Sequence, residues 1–384
     1  MSQFQEQLQQ GIARWLEAGK KSGSVTSDSD TVILSSILGN RSENQDRAIF
    51  LRVKFDGTNK PSIAALVLCD GMGGMVSGGD CANLAISTFS TSLVRSNAPI
   101  LIDRLVEAAS SANQAVYESF QGRGGATLSA IVCNDAGEWT GINVGDSRIY
   151  GVLNDGTVQQ LTVDDTLENQ LADLKLPSPP PEFRQLLQYI GMGDGIEPRK
   201  IDFQSSVEIK WFLVTSDGAH SIPKDIFKSL VNHAKGPEEI VYRLTELSEW
   251  LGGRDNATAA VLTVGEELFL RNKKSSPSSL EVWGVPGKVE FLSIKSLRAD
   301  PSQNGVLPSN KVAETSVRST AKPNELPNPN KESEQNSTKK KRKSVSKKID
   351  SEEVKGGSEQ SNNRKERLKK PQPLLDIEFS AEEG

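Results

Sequence analysis

Histidine is almost missing from this chain: His220 and His233 are the only two in 384 residues. An imidazole-ligated metal or a nucleophile activated by a histidine base is therefore hard to assemble, and each histidine reads as an incidental surface residue. Cysteine is nearly as scarce. Cys69, Cys81 and Cys133 are odd in number and show no CxxC spacing, which argues for buried thiols in a reducing compartment rather than disulfides or a thiolate zinc site. No apolar run approaches the roughly 18 to 20 residues of a membrane span. The opening basic and apolar regions of a signal peptide are not visible either, so a cytoplasmic location is expected.

What is present is unevenly distributed. Apolar residues concentrate between about Thr31 and Phe269 and thin out afterwards, which predicts one core-bearing domain and a long tail. Charge divides in the same way. From Pro301 to Gly384 there are 17 Lys+Arg against 13 Asp+Glu, a balance of +4; with −5 over the whole chain, Met1 to Asp300 carries −9. An acidic body argues against a nucleic-acid-binding core, whereas acidic groups gathered in one cleft would attract cations.

Within the body, Phe4, Leu8, Ile12, Trp15 and Leu16 recur at helical spacing up to Gly19. This amphipathic helix could dock on its own domain or on a partner, and Ser22 to Asp30 reads as a polar linker. Strands are expected at Val32 to Leu38, Ala48 to Val53, Ile63 to Leu68, Leu128 to Cys133, Trp139 to Val144, Ile149 to Leu153, Val158 to Leu161, Val207 to Lys210, Trp211 to Thr215 and Ala259 to Val264. Helices are expected at Asp80 to Leu93, Leu101 to Phe120 and Glu238 to Leu251. Thr162 to Gly195, broken by Pro177 and Pro179 to Pro181, reads as a surface flap. Leu280 to Leu297 alternates enough for one or two further strands. The boundaries that follow are 1–30 for the helix and linker, 31–267 for the main domain, 268–300 for a boundary segment and 301–384 for the tail.

The repeated construction is an apolar run leading into or out of an aspartate. Ile63 to Leu68 runs into Cys69-Asp70-Gly71-Met72-Gly73-Gly74, where the glycines would permit positive φ angles and close backbone approach. Asp146 and Asp217 also close strands, and Asp46 and Asp255 flank others. Taken singly, a DG sequence is often only a turn, and the polar loop holding Arg41, Asn44 and Asp46 could be a solvated hairpin. Taken together, carboxylates collected in one place would repel unless cations compensate them, and oxygen ligands of this kind suit Mg²⁺ or Mn²⁺ better than zinc.

In order along the chain, RSENQD, CDGMGG, GGATLS, NVGDSR, LTVDD, VTSDG and GGRDNAT resemble the motifs of the metal-dependent protein phosphatases, the PPM family of type 2C Ser/Thr phosphatases, and in particular their bacterial branch. The resemblance spans about Val32 to Glu266. It implies an α+β fold, a four-layer α/β/β/α sandwich of two antiparallel sheets flanked by helices, with two or three Mn²⁺ or Mg²⁺ ions in a cleft at one end. On that likeness Asp46 and Asp70 are metal ligands helped by the Gly71 carbonyl, with Asp70 bridging; Asp217 and Asp255 supply the other carboxylates. Asp146 matches a weaker third site shared with Asp217, and Arg41 matches the arginine that grips the substrate phosphate. The implied reaction is hydrolysis of phosphoserine and phosphothreonine on proteins by a water bridging the metals, opposing Ser/Thr kinases or acting on their targets, in a monomer. Three departures stand out: Gln45 where Glu is common before the first Asp, Met72 and Met75 where His occurs near the glycines, and Asp165 where His is common.

The tail has the composition of disorder. Lys339 to Lys348 holds seven basic residues in ten and Arg364 to Lys370 forms a second cluster, which could meet an acidic partner, nucleic acid or anionic lipid, or could simply be a solvated linker. Pro373 to Phe379 is an apolar island that could be a docking motif. The rival to an enzyme is a catalytically weak scaffold of the same fold that binds phosphoproteins and recruits partners through this tail.

Overall fold

Apolar runs without polar interruption need cover on both faces, and here each sheet has a helix layer on one side and the other sheet on the other. The computed structural model describes residues 3–18, 22–54, 61–72, 75, 77–172, 181–201, 203, 208–269 and 279–292. The chain runs through α1 (Gln3–Glu17), β1 (Gly23–Thr26), β2 (Val32–Ile37), β3 (Arg47–Lys54) and β4 (Ile63–Cys69), then α2 (Gly78–Arg95) and α3 (Leu101–Phe120). Strands β5 (Leu128–Asn134), β6 (Trp139–Val144), β7 (Arg148–Leu153) and β8 (Val158–Gln160) follow, with α4 (Leu167–Gln170), β9 (Arg199–Ile201) and β10 (Ile209–Thr215) after them. Helices α5 (Asp217–His220), α6 (Lys224–Asn232) and α7 (Pro237–Trp250) precede β11 (Ala257–Thr263), β12 (Ser279–Gly284) and β13 (Gly287–Leu292).

The strands form a six-stranded sheet in the order β1-β2-β11-β10-β7-β8 and a seven-stranded sheet in the order β13-β12-β3-β4-β5-β6-β9, with antiparallel pairing in both. Strand alternation sorts the core. Ala64, Leu66 and Leu68 of β4 and Phe50 of β3 face Leu34, Phe212, Val214 and Leu262 between the sheets. Their neighbours Ile63, Ala65, Val67, Ile49 and Leu51 point the other way, against Ile86, Phe89 and Leu105 of α2 and α3. On the far side, Leu213 and Val261 pack against Phe227, Ile240 and Leu244 of α6 and α7.

Helix α1 docks on this chain rather than standing free. Leu8, Ile12 and Leu16 are buried, Gln9 Nε2 donates to Thr88 Oγ1 at 2.9 Å and Asn83 Nδ2 donates to the Ala13 carbonyl at 3.1 Å. The expected linker at Ser22 to Asp30 contains β1, which pairs with β2 because its backbone groups would otherwise go unsatisfied beside the edge strand. Strand β9 and helix α6 were not read from the sequence. Three residues are too few for a period-2 signal, and the short amphipathic run of α6 lies among polar residues. Where one or two strands are expected over Leu280 to Leu297, the described residues hold two, β12 and β13, and β12 pairs along β3 from Ser279 opposite Lys54 to Gly284 opposite Ile49. Gly19, Gly73, Gly74, Val207, Pro177, Pro179 and the whole of 293–384, with the tail clusters, lie outside the described residues. Among the described residues no helix is long and apolar enough to cross a membrane.

Candidate active site

Strand register brings the predicted aspartates to one rim. In the seven-stranded sheet Arg47 pairs with Cys69, and Leu128 with Val144, so Asp46 just before β3, Asp70 just after β4 and Asp146 beyond β6 share an end. In the six-stranded sheet Thr215 pairs with both Arg148 and Ala259, and Ala257 pairs with Ile37, which puts Asp217, Asp255 and the loop carrying Arg41 at the matching end. Hydrogen bonds across the two sheets close that rim. Asp46 Oδ2 accepts from Ser216 Oγ at 2.7 Å and from Thr258 Oγ1 at 2.6 Å.

The loop before β3 is shaped by two asparagines. Asn44 Oδ1 accepts from the Asp46 amide at 3.1 Å, while its Nδ2 donates to Ser36 Oγ at 2.7 Å. Asn256 Oδ1 accepts from the Gln45 amide at 2.8 Å, and its Nδ2 reaches the carbonyls of Leu38 and Glu43 at 2.8 and 3.1 Å. Arg47, buried behind the site, donates through Nη1 to the carbonyls of Asn44 and Asp46 at 2.6 and 2.8 Å. Asp46 itself is only 4% exposed.

Gly71 departs from expectation in one respect. It is absent from the glycines with positive φ; its part is close approach, because a Cβ there would lie 2.3 Å from the Gly78 carbonyl oxygen and 3.0 Å from that of Gln45. Its amide donates to the Gln45 carbonyl at 3.2 Å, tying the Asp70 turn to the Asp46 loop. Gly218 does the same for the other sheet, since a Cβ would sit 2.0 Å from the Asn256 carbonyl oxygen, so only glycine lets α5 press Asp217 against the Asp255 loop. Asp70 is anchored through its backbone: its amide donates to Thr127 Oγ1 at 2.9 Å, and Thr127 Oγ1 pairs with Ser147 Oγ at 2.7 Å.

The electrostatics are those of carboxylates pressed together. Burial pushes Asp70 well above the usual carboxylate range, and the charges of Asp46, Asp217, Asp146 and Asp255 push it further. Asp217 is raised to about 7 by burial and then by Asp146, Asp255 and Asp46, and Asp146 to about 6 by burial and then by Asp164. Asp46 is also raised by burial, against the pull of the Thr258 and Ser216 hydroxyls and of a hydrogen bond that protonation would let it share with Asp70. With both ionised, Asp46 Oδ1 is buried with no hydrogen-bond partner among the described residues. Among the described residues no group of three or more His, Cys, Asp or Glu side chains is drawn tightly enough to close a cage round one ion. The donor set nevertheless fits a hard divalent cation: it is all oxygen, and Oδ1 of Asp46 offers lone pairs that none of the described residues uses.

Arg41 sits at the mouth. Its Nη2 donates to Asp255 Oδ2 at 2.7 Å and its Nε to the Arg254 carbonyl at 3.1 Å, with side chains 41% and 37% exposed for Arg41 and Asp255. All seven predicted site residues, Arg41, Asp46, Asp70, Gly71, Asp146, Asp217 and Asp255, thus lie at this rim. His220 is the correction among the remaining residues. It is buried, not superficial, with Nδ1 at 2.9 Å from Thr215 Oγ1, and burial followed by the charge of Arg148 holds it well below its ordinary value.

Sequence reasoning passed over the residues that hold the aspartates. Asp165, noted only as a departure, accepts from Arg199 and, through Oδ2, from the Gly145 amide at 3.1 Å, bracing the turn that carries Asp146. Asp164 clasps Arg148 at 2.6 to 3.1 Å on the same turn. Ser216 and Thr258 stood within the quoted VTSDG and GGRDNAT stretches, and their hydroxyl chemistry beside an aspartate was the available signal.

Two antiparallel sheets between helix layers, with aspartates from both sheets meeting at one rim, define a PPM-type sandwich. The chain matches the protein phosphatase 2C family over residues 36–262, more than half its length, and it belongs to that family. It is 31% identical over 214 residues to the serine/threonine protein phosphatase PstP of Mycobacterium tuberculosis, across 52% of this chain and 40% of that one. It is 28% identical over 235 residues to protein phosphatase PhpP of Streptococcus pneumoniae, across 54% of this chain and 89% of the relative. A solved PPM Ser-Thr phosphatase, MsPP of Mycobacterium smegmatis in complex with cacodylate, is 25% identical with a TM-score of 0.50, the match covering 61% of this chain and 98% of that one.

Proposed function

We propose that this chain hydrolyses phosphoserine and phosphothreonine on proteins, with Mn²⁺ or Mg²⁺ held by Asp46, Asp70, Asp217 and Asp255 and a further ion shared by Asp146 and Asp217. The observation that carries this reading is the convergence of carboxylates from both sheets on one rim, with a buried, unpartnered Asp46 Oδ1 among them and Arg41 at the edge. Two such cations, when bound, supply Lewis-acid chemistry: they neutralise phosphoryl oxygens and lower the pKa of a coordinated water towards about 7.

The chain's own residues do the rest. Arg41 offers an always-charged planar fork at the rim, able to turn from Asp255 to a phosphate and to hold two of its oxygens. Asp46 and Asp70 are kept in place by hydroxyls and backbone, so the acidic face needs little rearrangement when a substrate arrives. No histidine stands ready as general acid: His220 is buried and neutral, and Met72, whose amide donates to the Gly125 carbonyl at 3.0 Å, carries no proton to give. Water therefore protonates the departing serine or threonine oxygen. The substrates are phosphoproteins, made by Ser/Thr kinases that this activity would oppose.

The test is direct. Purified chain should hydrolyse p-nitrophenyl phosphate and a phosphothreonine peptide with added Mn²⁺, lose this in EDTA, and recover it on Mn²⁺ addition; Asp217→Asn should lower kcat/KM by about 100-fold or more. A folded, Mn²⁺-loaded protein without turnover would sink the reading.

A further inference from the structure

The geometry points to Ser216 and Thr258 as positioning residues that make Asp46 a single-oxygen cation ligand, with Ser36 and Asn44 as the relay behind them. The inference rests on the reading of Asp46 as a ligand. Oδ2 of Asp46 takes a hydrogen bond from each hydroxyl, at 2.7 Å from Ser216 and 2.6 Å from Thr258, so both of its lone pairs are engaged. Oδ1 is buried and has no hydrogen-bond partner among the described residues. The carboxylate is therefore not free to rotate or to grip an ion with both oxygens; one oxygen is tied into the protein and the other is presented.

The donors are themselves oriented. A hydroxyl has one proton, and which way it points depends on what it accepts. Asn44 Nδ2 can only donate, and it donates to Ser36 Oγ at 2.7 Å. Ser36 lies directly opposite Thr258 in the β2–β11 register, with the two hydroxyl oxygens 2.7 Å apart. Thr258 gives its proton to Asp46, so the proton between Ser36 and Thr258 belongs to Ser36, and the chain runs one way from Asn44 to the carboxylate. On the second branch the Thr258 amide donates to Ser216 Oγ at 2.9 Å, which directs the Ser216 proton onto Asp46 as well. Ser36, Asn44, Ser216 and Thr258 are all buried. In such a site hydrogen bonds to an ionised acceptor are strong, and removing one leaves the acceptor unsatisfied. Outer partners of this kind commonly change metal affinity when lost.

The experiment is Mn²⁺ titration by calorimetry on the full chain and its variants, with folding checked by circular dichroism. Thr258→Val keeps the shape and removes the hydroxyl, and it should weaken Mn²⁺ binding about 10- to 100-fold, whereas Thr258→Ser should stay within about threefold of the parent. Ser216→Ala should weaken binding in the same direction and serves as the readout if Thr258→Val does not fold. Parental Mn²⁺ affinity in Thr258→Val, or in Ser216→Ala where that is the readout, overturns the inference, and so does a Thr258→Ser variant as weak as Thr258→Val. Those results leave the proposed phosphatase reading intact, whereas a parent chain that binds no Mn²⁺ overturns both.

Discussion

Arg41 and Asp255 make different contributions to folding and to function. Their ion pair is about two-fifths exposed on each side, so screening by water leaves it worth at most about 1 kcal/mol of stability. Arg41→Ala should therefore shift the urea unfolding free energy by less than about 1 kcal/mol, while kcat/KM for a phosphopeptide falls by about 100-fold. Arg41→Lys should recover only part of the loss, because an ammonium keeps the charge without the planar fork. Steady-state kinetics beside urea melts checks both halves; a parental KM in Arg41→Ala would remove the arginine from phosphate binding.

Glycines and a docked helix set how the elements meet. The Gly218 position tolerates no Cβ, the obstacle being the backbone oxygen of Asn256 at 2.0 Å, so α5 or the Asp255 loop would have to move. Gly218→Ala is expected to cost about 1 to 3 kcal/mol in chemical denaturation and to weaken Mn²⁺ binding in the same protein. Helix α1 is a separate matter, since its apolar face packs into the core beside α2 and none of the site aspartates lies on it. Ile12 is fully buried there, and Ile12→Ala should destabilise the chain by about 2 to 5 kcal/mol as read by urea unfolding, with KM for p-nitrophenyl phosphate unchanged in the fraction that remains folded.

The acidic rim makes the stability of the entire chain depend on pH and on cations together. Asp217 at about 7 and Asp146 at about 6 keep protons in the folded state that an unfolded chain releases near pH 4. Between those limits the native state binds more protons, so stability falls as pH rises through 6 and 7. His220 acts in the opposite sense, because its folded value lies well below 6.5 and it costs stability as pH falls below that. It is one group against the four raised carboxyls Asp46, Asp70, Asp146 and Asp217. In EDTA, unfolding free energy should drop by roughly 1 to 3 kcal/mol between pH 5.5 and 7.5, and saturating Mn²⁺ should abolish or reverse that slope. A flat or rising profile in EDTA would mean that the aspartates do not crowd one another as described.

Much of the architecture was legible along the chain. The buried runs of β3, β4, β5 and β11 are continuous because both faces of each strand are covered, and α3 spans Leu101–Phe120 in both readings because its apolar stripe is regular. The aspartates could be singled out for a similar reason, since a charge closing an apolar run stands out without coordinates. Edge strands as short as β9 carry no periodic signal, and nothing local marks His220 as buried. The sequence alone could determine that this chain has strands ending in carboxylates and too few histidines for an imidazole-ligated metal or a histidine-activated nucleophile. Only tertiary structure could decide which oxygen of Asp46 is tied and which is offered, because its partners Ser216 and Thr258 lie 170 and 212 residues away and reach it only when two sheets pack face to face.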